Sequence, residues 1–173
     1  MRRISMLYFA SAAAAVGLLA GCSTNPTVGP VDTAKVSDEV KSDATALVAA
    51  FNARDAEKSV SFDAPDYVGM MHGAPNVSGP AGDLALTKQQ IADPASKFQV
   101  SGGDVSVAAA GDRAMSQSIY AYTFTDPATK MVRTENGNWL LGFRKQIDGS
   151  WKIKWSVLSD TGPATASTAV SPA

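Results

Sequence analysis

Two runs of alternating residues flank Asp148-Gly149, and this restricts the possible folds more than any other feature of the chain. Before it, Trp139, Leu141 and Phe143 recur at every second position. After it, Trp151, Ile153, Trp155 and Val157 alternate with Lys152, Lys154 and Ser156. Successive side chains of a strand point to opposite faces, so each run reads as a half-buried strand, and Asp-Gly suits the tight turn between them. Upstream, Ser116, Ser118, Tyr120, Tyr122 and Phe124 share one face of a strand over Met115 to Thr125. Met115, Gln117, Ile119 and Ala121 share the other. Phe98 and Val100, then Val105 and Val107, alternate around Gly102-Gly103. The second half of the chain therefore predicts long antiparallel hairpins.

The first half has a helical period. Val36, Val40, Ala44, Leu47, Val48 and Phe51 fall on one face of a 3.6-residue helix. Ala56 to Phe62 predicts a second, short helix ended by Asp63-Ala64-Pro65. Tyr67 to His72 reads as a short extended run, with Asn76 to Gly79 as a partner strand. Leu84 to Ile91 predicts a third helix, stopped before Pro94. About three helices followed by hairpins is an α+β order. Hydrophobic residues make up 45% of the 173 and charged residues 18%, which excludes a wholly disordered chain. Fifteen basic and sixteen acidic residues with no basic cluster exclude an electrostatic nucleic-acid binder.

The N-terminus reads as an address. Met1-Arg2-Arg3 precedes an apolar or small-residue run from Ile4 to Ala20, closed by Gly21-Cys22. Residues 1–21 have the parts of a secretory signal and fall short of the roughly 20 apolar residues of a membrane-spanning helix. The single cysteine behind Leu19-Ala20-Gly21 resembles the bacterial lipoprotein lipobox. That resemblance implies cleavage before Cys22, lipid attachment there, and export to a bacterial cell envelope. Ser23 resembles the default for sorting to the outer membrane, facing the periplasm. Residues 22–35, rich in Ser, Thr, Pro and Gly, are expected to form a flexible tether, and 161–173 a disordered tail. The domain proper is then 36–160.

Within it, Gly137-Asn138-Trp139-Leu140 leads through Phe143-Arg144-Lys145-Gln146 to Asp148-Gly149-Ser150-Trp151-Lys152-Ile153. This order resembles the SnoaL-like branch of the nuclear transport factor 2-like superfamily. Phe51-Asn52-Ala53-Arg54-Asp55 is similar to the segment closing the family's first helix. Asp66-Tyr67-Val68 is similar to the opening of its first strand, and Gly79 to the glycine before its third helix. The resemblance implies a cone, a strongly curved antiparallel sheet with helices closing one side over an apolar pocket. It also implies a homodimer through the outer sheet face. Isomerases, cyclases, hydrolases, dehydratases and non-catalytic binders share that fold, so the fold alone names no activity.

The general-base aspartate of ketosteroid-isomerase-like members would fall at or near Met71, which cannot move a proton. Other members carry His or Asp beyond the final Trp-Lys-Ile, where this chain reads Lys154-Trp155-Ser156-Val157. Both departures argue against efficient catalysis. His72, the only histidine, is the candidate proton shuttle, oriented by Asp66 or Asp104. Tyr67, Met71, His72, Tyr120, Tyr122, Trp139 and Trp155 are the candidate pocket residues, since Tyr and Trp combine an apolar body with one donor. One cysteine and one histidine cannot make a zinc site from those residues alone, and no phosphate loop or nucleophile elbow occurs. No metal and no cofactor is expected.

The sequence thus points to an envelope lipoprotein whose domain binds a small apolar or aromatic molecule, or a partner protein. One alternative is an isomerase, cyclase or hydrolase using His72. A second is an assembly module with a filled cone. Pocket volume separates the last from the others, and a buried polar pair inside the cone marks the enzyme.

Overall fold

The computed structural model describes residues 30–167. The signal segment 1–21, Cys22, most of the tether and residues 168–173 lie outside the described residues. Helix α1 spans Thr33–Asn52, three residues further into the expected tether than the apolar period required. The cause is Asp32, whose carboxylate accepts from the Lys35 amide at 3.0 Å and caps the first turn. Its buried face carries Val36, Val40, Ala50 and Phe51. Arg54 turns the chain at φ 66°, and Asp55 caps α2 (Ala56–Val60) by accepting from the Lys58 amide at 2.9 Å.

Strand β1 (Asp63–Met71) opens directly on the Asp-Ala-Pro expected only to end the helix. Strand β2 is Val77–Ser78, α3 is Gly79–Ile91 and β3 is Lys97–Val107. Strands β4 (Arg113–Thr125), β5 (Val132–Lys145) and β6 (Trp151–Asp160) are the long hairpins. A two-residue strand β7 (Thr165–Ala166) pairs with the start of β5. The expected disordered tail is thus partly ordered: Arg133 holds it by donating to the Ala164 carbonyl at 2.7 Å.

The fold is α+β, as expected: three helices and a strongly curved sheet in the order β2-β1-β6-β5-β4-β3. Every pairing is antiparallel except one, since β1 runs parallel to β6. The helices cover one face, α1 lying on β3 and β4 and α3 on β1.

Three irregularities bend the sheet. Pro65 and its neighbours bulge out of β1 between Asp63, opposite Ile153, and Val68, opposite Trp155. Gly102-Gly103, both at positive φ, add one residue to β3 between Ser101 and Asp104. Finally, β6 carries Lys154 as an extra residue, because Phe143 pairs with Ile153 while Gly142 pairs with Trp155. An extra residue switches the side chains beyond it to the opposite face. Trp151 and Ile153 therefore point into the core, and Trp155 and Val157 point out.

Candidate functional site

Helices and sheet enclose a cavity of about 260 Å³. Its apolar wall comes from α1 (Leu47, Phe51), β3 (Phe98), β4 (Tyr122) and β5 (Trp139, Leu141). The aromatic rings brace one another. Phe98 meets Trp139 edge-on at 5.1 Å between centroids and Phe51 at 6.1 Å. Asn52 fixes Phe98 from the end of α1, donating to its carbonyl at 2.7 Å and accepting from its amide at 2.9 Å.

The polar part of the cavity lies where β1 begins under α3. Asp63 is 7% exposed, yet its Oδ2 is buried with no hydrogen-bond partner. The Asp83 carboxyl, on the first turns of α3, faces it side chain to side chain. Tyr67 follows on β1, its hydroxyl between Asp83 and Ser156. Ser156 in turn accepts from Trp139 Nε1 at 2.9 Å. Trp139, Ser156, Tyr67, Asp83 and Asp63 thus form one row of polar groups through an otherwise apolar interior. Gly69 makes room for it, because a Cβ there would stand 2.8 Å from the Tyr67 hydroxyl.

Burial disfavours the charged forms throughout. Burial, then the neighbouring Asp83 charge, raises the Asp63 carboxyl to about 8, with Lys152 opposing. Burial also raises Asp83, against the opposing effect of the neighbouring Asp63 and Tyr67 side chains. It raises the Tyr67 hydroxyl as well. Two facing buried carboxyls without a cation between them favour keeping a proton, since like charges that close disfavour ionising both. Such a pair can donate a proton at one oxygen and accept one at another.

Of the sequence-derived pocket residues, Tyr67, Met71, His72, Tyr122 and Trp139 line this cavity. Tyr120 and Trp155 do not. Tyr120 is 1% exposed, stacks on Phe98 at 5.5 Å and donates to Glu135, so it backs the wall from behind. Trp155 lies on the outer face, turned there by the extra residue Lys154. The candidate proton shuttle is also arranged differently. His72 stands at the rim with 77% of its side chain exposed, and its Nδ1 faces Asp160 at 3.1 Å, not Asp66 or Asp104. Asp66 points out of the cone, held by Arg144 at 2.6 Å and Lys154 at 3.0 Å. Those two cations hold its carboxyl down at about 2. Asp104 is exposed on β3.

Sequence reading missed Asp63, Asp83, Glu135 and Ser156. Asp63 looked like a helix stop. Asp83 had a signal: Asp83, Leu86, Thr87 and Gln90 fall at i, i+3, i+4 and i+7, and all four line the cavity. That face is half polar, so it has no apolar period to detect. Among the described residues no group of His, Cys, Asp and Glu is placed to hold a metal ion.

No protein-family model matches the chain, and no curated protein matches it. Solved structures do. LinA is similar at 12% identity with a TM-score of 0.67, over 79% of this chain and 92% of its own. A ketosteroid isomerase-like protein from Erwinia carotovora atroseptica is 23% identical, TM-score 0.60, over 73% and 96%. A nuclear transport factor 2-like protein with a cystatin-like fold, from Novosphingobium aromaticivorans, is 18% identical, TM-score 0.57, over 72% and 80%. The chain has the nuclear transport factor 2-like fold. That fold is shared by isomerase-like proteins, a dehydratase-like protein and dehydrochlorinases.

Proposed function

We propose that this chain is an envelope lipoprotein, anchored through Cys22, whose cone binds a small molecule with a compact apolar or aromatic body. The observation that carries the reading is the cavity itself. It is open space of about 260 Å³ walled by Phe51, Phe98, Tyr122 and Trp139, with a few convergent polar groups at one end. An open volume of that size supports a binding cone over a filled one. The outer sheet face supports a homodimer: Met115 is 51% exposed, Ile119 58% and Trp155 42%, beside Met70, Leu140 and Val157.

A second reading is favoured by one observation, the carboxyl pair. With Asp63 raised to about 8, the pair suits proton transfer at neutral pH, and Asp63, Asp83 and Tyr67 take the place once expected of His72. This enzyme would move a proton on a carbon acid. Its test is deuterium wash-in beside the carbonyl of small ketones in D2O, which should vanish in Asp63→Asn.

The experiment for the first reading is native mass spectrometry of the full chain, extracted in detergent from its own host. It should show an acylated chain beginning at Cys22, a dimer, and a co-purifying small molecule. An empty chain would overturn the binding reading. An unacylated chain retaining residues 1–21 would overturn the anchor.

A further inference from the structure

The cavity has an uneven charge distribution. Among the described residues three acids line it, Asp63, Asp83 and Glu135, and no lysine or arginine does. Its one histidine, His72, stands at the rim beside Asp160. Lys152, the nearest base to Asp63, is turned away: its Nζ donates to the Ser61 carbonyl at 2.5 Å, and it lines a separate groove with Asp38 and Asp43. Glu135 is already occupied by the Tyr120 hydroxyl. Asp63 Oδ2 is the group left over, in a residue more than nine-tenths buried on the cavity wall, with no N–H or O–H of the described residues donating to it. A buried carboxyl oxygen without a hydrogen-bond partner is costly, and a ligand that brings donors to it removes that cost.

We propose that the cone selects a compact aromatic or alicyclic amine, its ammonium between Asp63 and Asp83 and its ring against Phe51, Phe98, Tyr122 and Trp139. The proposal rests on the binding reading above and adds the ligand's chemical class. An ammonium group has three donors and a positive charge, and three acceptors converge here: the two carboxyls and the Tyr67 oxygen. As the ammonium enters, the proton shared by the pair leaves to solvent, so the complex holds two carboxylates against one cation. The aromatic wall receives the ligand's ring by stacking and edge contacts. An alcohol offers one donor and no charge. A carboxylate would enter beside an existing negative charge with no cation to receive it. The cavity volume lies just under the roughly 300–1,000 Å³ of pockets for drug-sized ligands, which limits the body to about one ring.

The test is calorimetric titration of the full chain at pH 7 with three ligands of nearly one shape: 2-phenylethylamine, 2-phenylethanol and phenylacetate. The amine should bind at least about tenfold more tightly than the alcohol, and phenylacetate more weakly than both. Asp63→Asn and Asp83→Asn should each bring the ratio of amine to alcohol affinity close to one. Alcohol or phenylacetate binding as well as the amine would overturn the amine proposal while leaving the binding reading intact. If none of the three binds at millimolar concentration, both fall.

Discussion

Asp63 and Asp66 lie three residues apart on the same strand and have opposite fates. Asp66 faces outward, between Arg144 and Lys154, and its carboxyl is held at about 2. Asp63 faces inward, with another carboxyl as its neighbour, and is raised to about 8. The chemistry of the two side chains is the same, so position alone separates them. The same contrast runs through the whole sheet. Its inner face carries aromatic rings, a cavity and acids without bases, while its outer face carries paired charges and a band of uncovered apolar side chains. An acid with cations beside it is structural; an acid denied them is available for a ligand or a proton.

The strongest way to break this comparison is to remove one tryptophan from each face. Trp139→Ala should cost about 3–5 kcal/mol in urea unfolding, since it empties the cavity wall and removes the donor to Ser156. Trp155→Ala should cost less than about 1 kcal/mol at protein concentrations low enough to dissociate the proposed dimer. An equal and concentration-dependent cost at Trp155 would show the outer face covered by a second copy, and would sharpen the dimer reading.

The next largest effect follows from the two acids and has opposite signs. Folded, Asp63 keeps its proton up to about pH 8, whereas unfolded it would release it near the ordinary aspartate value of 3.8. Its contribution to stability is therefore complete below about pH 4 and lost as the pH rises through 8. Asp63→Asn should flatten that decline and raise Tm at pH 8.5 by on the order of 5 °C. Asp66 behaves in reverse: its contribution is present above about pH 4 and lost as pH falls through 2. Asp66→Asn should thus lower Tm at pH 7 by a smaller amount, and by progressively less as the pH falls towards 2. Parallel profiles for the two variants would refute the inside–outside contrast.

Smaller still is Gly69→Ala. A methyl group 2.8 Å from the Tyr67 hydroxyl must push that ring aside, at a cost of about 1–3 kcal/mol. The displacement should also move the tyrosine resonance of Tyr67 without disturbing Asp66. Asn52→Ala, which removes both hydrogen bonds to Phe98, should cost about 1–2 kcal/mol and weaken ligand binding through a looser wall.

Much of the fold was legible because it is periodic. The α1 face from Val36 to Phe51, the alternation through Tyr120 and Tyr122, and the turn at Asp148-Gly149 each follow from local geometry. The pairing of β1 with β6 was not legible, since parallel partners lie some ninety residues apart and share no turn. The site was half legible. Tyr122 and Trp139 were found because their strands keep strict alternation. Trp155 was misplaced because Lys154 is an extra residue, and nothing in Lys152-Ile153-Lys154-Trp155 distinguishes a bulged strand from a regular one.

The sequence by itself determined the element types and the composition of each face, because helix and strand periods are properties of consecutive residues. It also carries the N-terminal pattern around Cys22 on which the anchor proposal stands. Only the tertiary structure decided which charges meet. Asp63 opens a strand, Asp83 lies in the second turn of a helix, and twenty residues of chain separate them. Folding brings their carboxyls face to face on a cavity wall that carries no lysine or arginine among the described residues, so long-range packing creates the electrostatics of this cavity.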